Sequence, residues 1–367
     1  MGDAGTFMAT PVGLSLLAEV AGLDLWDFME QIGESIPGTT LKASPSDADA
    51  PAPGHGPAAA RPRRQAPDVV TDHVAAVASS LDQLARCEDR LALLHALADV
   101  LLPGAVETAA APFLTSATES LLPVSRALAS APATQWWWEL PDLGHQRWLS
   151  GAGQPARGAA LTEALRAQGV ADAEEERRAA REWPWPPRRD TVYSGTWWSP
   201  PLGGGAFTST GPVGPLPAAA AGLALDSIGE DRFELWDVRV GPQARIWNIT
   251  GPDDWGRLVK RYPRDVTASR RHDWYHSTGR DGPWLLPDWS RAADDWDGIH
   301  LSAAGYISAA WLAIPVGDAA TVLAGWGPDE TLWLNDVFTS AERAGTWTGT
   351  PGAEAFPDVL LPWLGPR

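Results

Sequence analysis

The segment WDGIHLSAAGY, residues 296–306, brings an aspartate, a histidine and a serine within six positions: Asp297, His300 and Ser302. An acid three residues before a histidine has the makings of the base half of a hydrolytic triad. There the carboxylate orients the imidazole, and the imidazole takes the proton of a serine nucleophile. Ser227, in LALDSIG, is the serine available for that role. The same segment also reads as a plain strand, with Ile299 and Leu301 facing a core and His300 and Ser302 on the other face. A second pair, His272 and His276 in HDWYH, has the i,i+4 spacing that lets two imidazoles face one metal on a helix. Its second position is Asp273 and not a glutamate, and no third ligand suggests itself apart from His300. The Arg-, Gly- and Ser-rich surroundings favour a solvated loop there, or an anion-facing cluster with Arg270 and Arg271, and no metal is expected.

A third constellation runs from VYSGTWWSPP through GAFTST to GWGPDETLWLN. This order resembles a divergent member of the ADP-ribosyltransferase superfamily. In that family an early strand gives a polar or basic residue, a middle strand bears an S-T-S-like run, and a late strand places a glutamate. The resemblance implies NAD+ as substrate, Thr208, Ser209 and Thr210 as the shelf, and Glu330 as the late acid. Tyr193, Trp197 or Trp198 would wall the nicotinamide. Breaking the nicotinamide–ribose bond builds positive charge on the ribose, which a fixed carboxylate stabilises. The early strand TVYSGT has neither arginine nor histidine, unless Arg188 or Arg189 reaches in, and Asp329 lies beside Glu330 and not two positions away. The plainer reading makes FTST a Thr-rich strand and Glu330 a surface acid.

The opening segment has a resemblance of its own. DGIHLSAAGY is similar to the last block of SGNH-type esterases and lipases, which implies Asp297 as orienting acid, His300 as base and Ser227 as nucleophile. Leu225 stands where that family has a glycine, and no GxND block is found. More loosely, RIWNITGPDDWGRLVKRYP, DWDGIHLS and GWGPDETLWLN resemble segments of uncharacterised bacterial proteins, chiefly actinobacterial. That likeness implies that the three belong to one domain.

The elements that must position these residues divide the chain in four. Residues 1–38 contain a helix beginning at Pro11 behind Thr10. Residues 39–67 are rich in Pro, Ala, Ser and Asp and read as a disordered linker. Residues 68–189 are helical, with Val77, Leu81, Leu84 and Leu91 on one stripe and a charged helix at 161–183. PWPPRR at 184–189 marks the boundary to the last part, 190–367. There short strand-like runs alternate with two amphipathic helices: Trp255, Leu258, Val259 and Tyr262 line one, and Trp289, Ala292, Ala293 and Trp296 the other. Runs of helices followed by short strands predict an α+β fold. No G-x-G-x-x-G or P-loop pattern is present.

Composition narrows the partners. Twenty-eight basic against 46 acidic residues leave a net charge of −18, which argues against a phosphate-backbone binder and against an anionic membrane surface. One cysteine, Cys87, excludes an intrachain disulfide. No signal-like or membrane-spanning run is found, so a cytoplasmic location is expected. Fourteen of the 21 tryptophans fall after residue 190, most of them expected in the core. The expected partner is a small molecule or another protein. A non-catalytic binding, immunity or adaptor protein stands as the alternative to an enzyme, because an acidic, aromatic-rich surface suffices for it.

Overall fold

In the computed structural model of the 367-residue chain, the described residues are 4–8, 10–34, 64–90, 93, 97, 105–150, 159–183, 185, 197–201, 207–213, 216–217 and 232–348. Helix α1 (Pro11–Val20) starts where the sequence places it. The Thr10 hydroxyl accepts the Gly13 N–H at 2.9 Å, and Pro11 occupies a position whose N–H a helix leaves unpaired. Asp24 caps α2 (Leu25–Ile32), and Gly33, in the left-handed region, ends it. Helices α3 (Ala66–Ala76), α4 (Ala78–Leu84), α5 (Ala105–Ser116) and α6 (Thr118–Ser130) follow, then a 3-10 turn, Pro132–Trp138, that buries Trp136 and Trp137. Helix α3 begins inside the stretch read as linker; residues 39–63 of that stretch lie outside the described residues. The expected continuous helix through Val77 is broken there, between α3 and α4.

Strand β1 (Gln146–Ser150) precedes the charged helix α7 (Ala159–Glu182). Then come β2 (Phe207–Thr210), β3 (Pro212–Val213), β4 (Leu216–Pro217), β5 (Arg232–Val240) and β6 (Ile246–Ile249). Helix α8 (Pro252–Arg261), β7 (Pro263–Asp265), α9 (Thr267–Thr278), β8 (Leu285–Pro287), α10 (Trp289–Asp295), β9 (Gly298–Leu301) and α11 (Ala303–Ala309) follow. The described chain closes with β10 (Ile314–Val316), β11 (Ala319–Thr321), β12 (Glu330–Trp333) and β13 (Phe338–Thr348). The protein is α+β, with most helices early and most strands late. Among the described residues, no helix is long and apolar enough to cross a membrane.

Seven strands form the main sheet in the order β13-β5-β1-β2-β12-β9-β6, antiparallel except for the β6–β9 pair. Paired residues share a face, so the sheet has two separate cores. Ile249, Ile299, Leu301 and Leu332 join the large cluster that also holds Trp255 and Leu258 of α8. On the opposite face Trp236, Val238, Val240, Trp333 and Phe338 make a smaller one. The predicted stripe on α8 is buried as expected, as are Trp289 and Ala292 of α10.

The N-terminal helices and the sheet share the large cluster, which runs from Phe7 to Leu334. Helix α11 is the contact between them. All seven of its residues are buried, and the Thr10 hydroxyl donates to the Ile307 carbonyl. The Ser302 hydroxyl holds α11 to the sheet twice, accepting the Gly305 N–H and donating to the Ile249 carbonyl, both at 3.0 Å. Gly305 is packed so closely that a Cβ there would overlap the Ile249 carbonyl oxygen. Gly305→Ala is therefore expected to lower stability by about 1–3 kcal/mol through overpacking. Thermal or urea unfolding checks this, and an unchanged midpoint would show that the helix can move off the strand at no cost.

Candidate functional site

One rung of residues crosses all seven strands: Ile249, Leu301, Glu330, Thr210, Arg147, Asp237 and Glu342, each directly paired with the next. They share the helix-packed face. Ile249 and Leu301 are fully buried beneath the helices, Thr210 is buried, Glu330 and Arg147 are half-buried, and Asp237 and Glu342 are exposed. The rung thus leaves the core at Glu330 and reaches solvent at Asp237. A carboxylate, a hydroxyl and a guanidinium stand side by side where cover gives way to water.

Glu330 is held by the turn before it. Its Oε2 accepts the Gly327 N–H at 2.7 Å, and the Thr208 hydroxyl donates to the same carboxylate. Burial raises the Glu330 carboxyl above its ordinary range, and those two donors pull in the other direction. The Arg147 guanidinium is paired with Asp237. Trp198 rests on the loop that leads to this turn. Gly325 has φ of 67°, and a Cβ there would run into the Trp198 ring. Trp197 contacts both Trp198 and Trp311, with ring centroids 5.6 and 4.5 Å apart. Tyr193, Arg188 and Arg189 lie outside the described residues, as does Ser227.

Ser209 points the other way from Glu330. Strand alternation places it with Thr331, His300 and Asn248, in a polar row across four strands on the opposite face. Its hydroxyl donates to Gln146 Oε1 and accepts the Trp333 indole N–H, both at 2.7 Å. Thr208 and Thr210, by contrast, share the Glu330 face. The three residues of the S-T-S-like run are therefore divided between the two sides of the sheet.

His300 is completely buried, its Nδ1 2.9 Å from the Thr331 hydroxyl and its Nε2 3.8 Å from Asp329 Oδ1. Asp329 has φ of 59°, and its other oxygen accepts the Gly211 N–H at 2.8 Å. Burial opposes charge on both groups. It drops the imidazole to about 3 and pushes the carboxyl up to about 7, so the pair faces as a neutral imidazole and a carboxyl that ionises near neutrality. At 3.8 Å they form no hydrogen bond.

Asp297 is engaged elsewhere. Its Oδ2 accepts the Arg245 backbone N–H at 2.8 Å and Nε at 3.1 Å, its Oδ1 the Arg245 Nη2 at 2.9 Å, and Asn335 adds a fourth donor. Burial pushes this carboxyl up, but the Arg245 side chain and backbone outweigh it and hold it below the usual range. Asp297 and His300 share no hydrogen bond, and Ser302 is the α11 cap. The structure does not bring the three together. HDWYH, expected as a loop, is helical within α9, because Asp265 accepts the Thr267 N–H and Glu176 those of Ala268 and Ser269, Gly279 ends the helix and Trp274 is buried. His272 and His276 face each other with ring centroids 4.7 Å apart. Among the described residues, no group of three or more His, Cys, Asp or Glu side chains is arranged to hold a metal ion.

Arg147 is the site residue that sequence reading passed over. Its strand, QRWLS, lies behind a tryptophan-dense run read as packing, and its polar-polar-apolar-apolar order carries no alternation that would mark a strand. In comparisons with family models, curated proteins and solved structures, the chain matches none.

The Asp329 carboxyl gives a pH test. An unfolded aspartate ionises near ~3.9, whereas this one does so near 7 in the fold. The folded state therefore holds an extra proton between those values, and stability is lost as pH rises through them. Asp329→Asn removes that loss and tolerates a positive φ. Its stability relative to wild type is expected to climb between pH 4 and 7 by on the order of 2 kcal/mol and then level off. Urea unfolding of both proteins at several pH values measures it; a gap that does not change with pH would contradict the assignment.

Proposed function

We propose that the protein is an NAD+-consuming transferase or glycohydrolase of the ADP-ribosyltransferase-like kind, with Glu330 as its acid. The observation that supports this reading is the direct pairing of Arg147, Thr210 and Glu330 on three adjacent strands, on one face, at the edge of the helical cover. It joins a basic residue on an early strand, a hydroxyl on a middle strand and a glutamate on a late one.

The chemistry follows from those groups. The bond between ribose C1′ and the nicotinamide nitrogen breaks, and its electron pair leaves with neutral nicotinamide. Positive charge grows on the ribose, and the fixed Glu330 carboxylate opposes it at close range in a partly dehydrated setting. The Gly327 N–H and the Thr208 hydroxyl hold that carboxylate still, which avoids reorganisation as charge develops. The same carboxylate hydrogen-bonds a ribose hydroxyl and orients the acceptor. An acceptor oxygen then bonds to C1′ and gives up its proton. Arg147, on the open side, supplies a planar donor for a phosphate. Trp198, packed against Gly325 in the loop before Glu330, is the aromatic offered to the nicotinamide ring. Ser209 acts at one remove, keeping β2 in register through Gln146 and Trp333.

The test is incubation of purified protein with NAD+ while following nicotinamide release. Glu330→Gln keeps the shape and removes the charge, and is expected to slow release on the order of a hundredfold or more. Arg147→Met is expected to raise KM more than it lowers kcat, because it removes binding shared by ground and transition states. Wild type that folds but releases no nicotinamide, with or without a protein acceptor added, would sink the enzymatic reading in favour of a binding protein.

A further inference from the structure

Helix α7 carries few apolar residues on its outer length and is docked on the sheet domain by charge. The Arg264 guanidinium meets Asp172 at 2.7 Å, and both groups are largely buried. The Glu176 carboxylate accepts the Ala268 and Ser269 N–H groups at 2.6 and 2.8 Å, capping α9 from a different helix. Arg271 closes the far end by donating to the Trp183 carbonyl at 2.8 Å. Between α7 and the sheet domain these contacts leave a cavity of about 20 Å³, lined by Gln168, Asp172, Ser199, Arg264, Arg270 and Trp289.

Arg270 is the unusual member. It is only 5% exposed, yet among the described residues its guanidinium makes one hydrogen bond, to the Ser269 hydroxyl at 3.2 Å, and its Nε has no partner. A guanidinium carries five N–H donors. The acids nearby are already spent. One Asp172 oxygen is taken by Arg264 and the other by the Gln168 amide at 2.7 Å. Glu176 is committed to the α9 backbone, and Glu175 pairs with Arg178 at 2.6 Å. Among the described residues Arg270 is thus a buried cation with no carboxylate in ion-pair contact, beside a second arginine, at the wall of a cavity. Burial lowers its pKa to about 10, with Asp172, Glu176 and Glu175 acting against it from a distance and Arg264 adding to it, which still leaves it charged at neutral pH.

We propose that this cavity binds a small oxyanion of carboxylate size, held by the Arg270 guanidinium with Arg264 behind it. The space admits a group of about one water's size, such as the leading oxygen of a carboxylate whose remainder stays outside, and is too small for a nucleotide. A planar fork of donors matches two carboxylate oxygens. The site shares no residue with the Glu330 rung and does not rest on the NAD+ reading. Occupied, it supplies the missing counter-charge at the joint between α7 and the sheet domain, so binding stabilises that joint.

The experiment is thermal unfolding of the full chain in sodium formate, acetate, phosphate or chloride at matched ionic strength, alongside calorimetric titration with formate. Formate and acetate are expected to raise Tm in a saturable way, by about 2 °C at 100 mM relative to chloride. Arg270→Met should remove the difference between formate and chloride. Should that variant fail to fold, Arg270→Lys keeps the charge but loses the fork, and its affinity for formate should fall about tenfold. Equal Tm in formate and chloride, stabilisation by phosphate alone, or a formate effect that survives in Arg270→Met would each overturn the proposal.

Discussion

Strand β12 is the constraint on which the rest depends. It is four residues long and is paired on both flanks, with β2 on one side and β9 on the other. Its alternate residues serve opposite faces. Leu332 enters the large core under the helices, Trp333 anchors the small core behind, Thr331 meets His300, and Glu330 stands at the edge of the cover. A slip of one residue would exchange these sets, turning Glu330 and Leu332 to the His300 face and Trp333 into the large core, so both cores enforce one register. The turn before the strand takes up what that register demands. Asp329 adopts a positive φ, and its carboxylate and that of Glu330 collect the N–H groups of Gly211 and Gly327.

That arrangement also explains why two neighbouring carboxyls are both raised and yet differ in use. Asp329 and Glu330 are consecutive, so they point to different sides of the strand. Asp329 faces a fully buried imidazole that cannot carry a compensating charge, and it ionises only near neutrality. Glu330 receives two donors and opens toward the Arg147 side of the rung. The same rule governs the ion pairs elsewhere. Asp297 is kept ionised by Arg245, and Asp172 is paired with Arg264, whereas Arg270 is buried with its charge and only the Ser269 hydroxyl as acceptor among the described residues. Charge in this protein is placed at joints, between β6 and β9 in the first case and between α7 and the sheet domain in the others.

Much of the local architecture was legible in the residues. Thr10 and Pro11 announced the start of α1, the spacing of Trp255, Leu258 and Val259 announced α8, and FTST, RFELWDVRV and GIHLS announced strands, because caps and periodicities act within one or two turns of the chain. The abundance of tryptophan pointed to core packing, and Trp137, Trp255, Trp274, Trp284 and Trp333 are fully buried. The helix at HDWYH was not legible. Asp265 gives its N-terminus one local cap, but the next two N–H groups are taken by Glu176, more than ninety residues earlier, and no local pattern encodes so distant a partner.

The sequence by itself determined the α+β class, the faces of the amphipathic helices and the residue types available for chemistry, since these follow from side-chain character and short-range spacing. Only the tertiary structure decided which of them meet. It turned Ser209 away from Glu330, because alternation puts paired neighbours of Thr331 on the other face, and it gave Asp297 to Arg245 and not to His300. It brought Arg147 beside Thr210 across a gap of sixty residues. Sheet pairing between strands far apart in the chain is settled by the two cores that must be filled at once, and that is a property of the whole molecule.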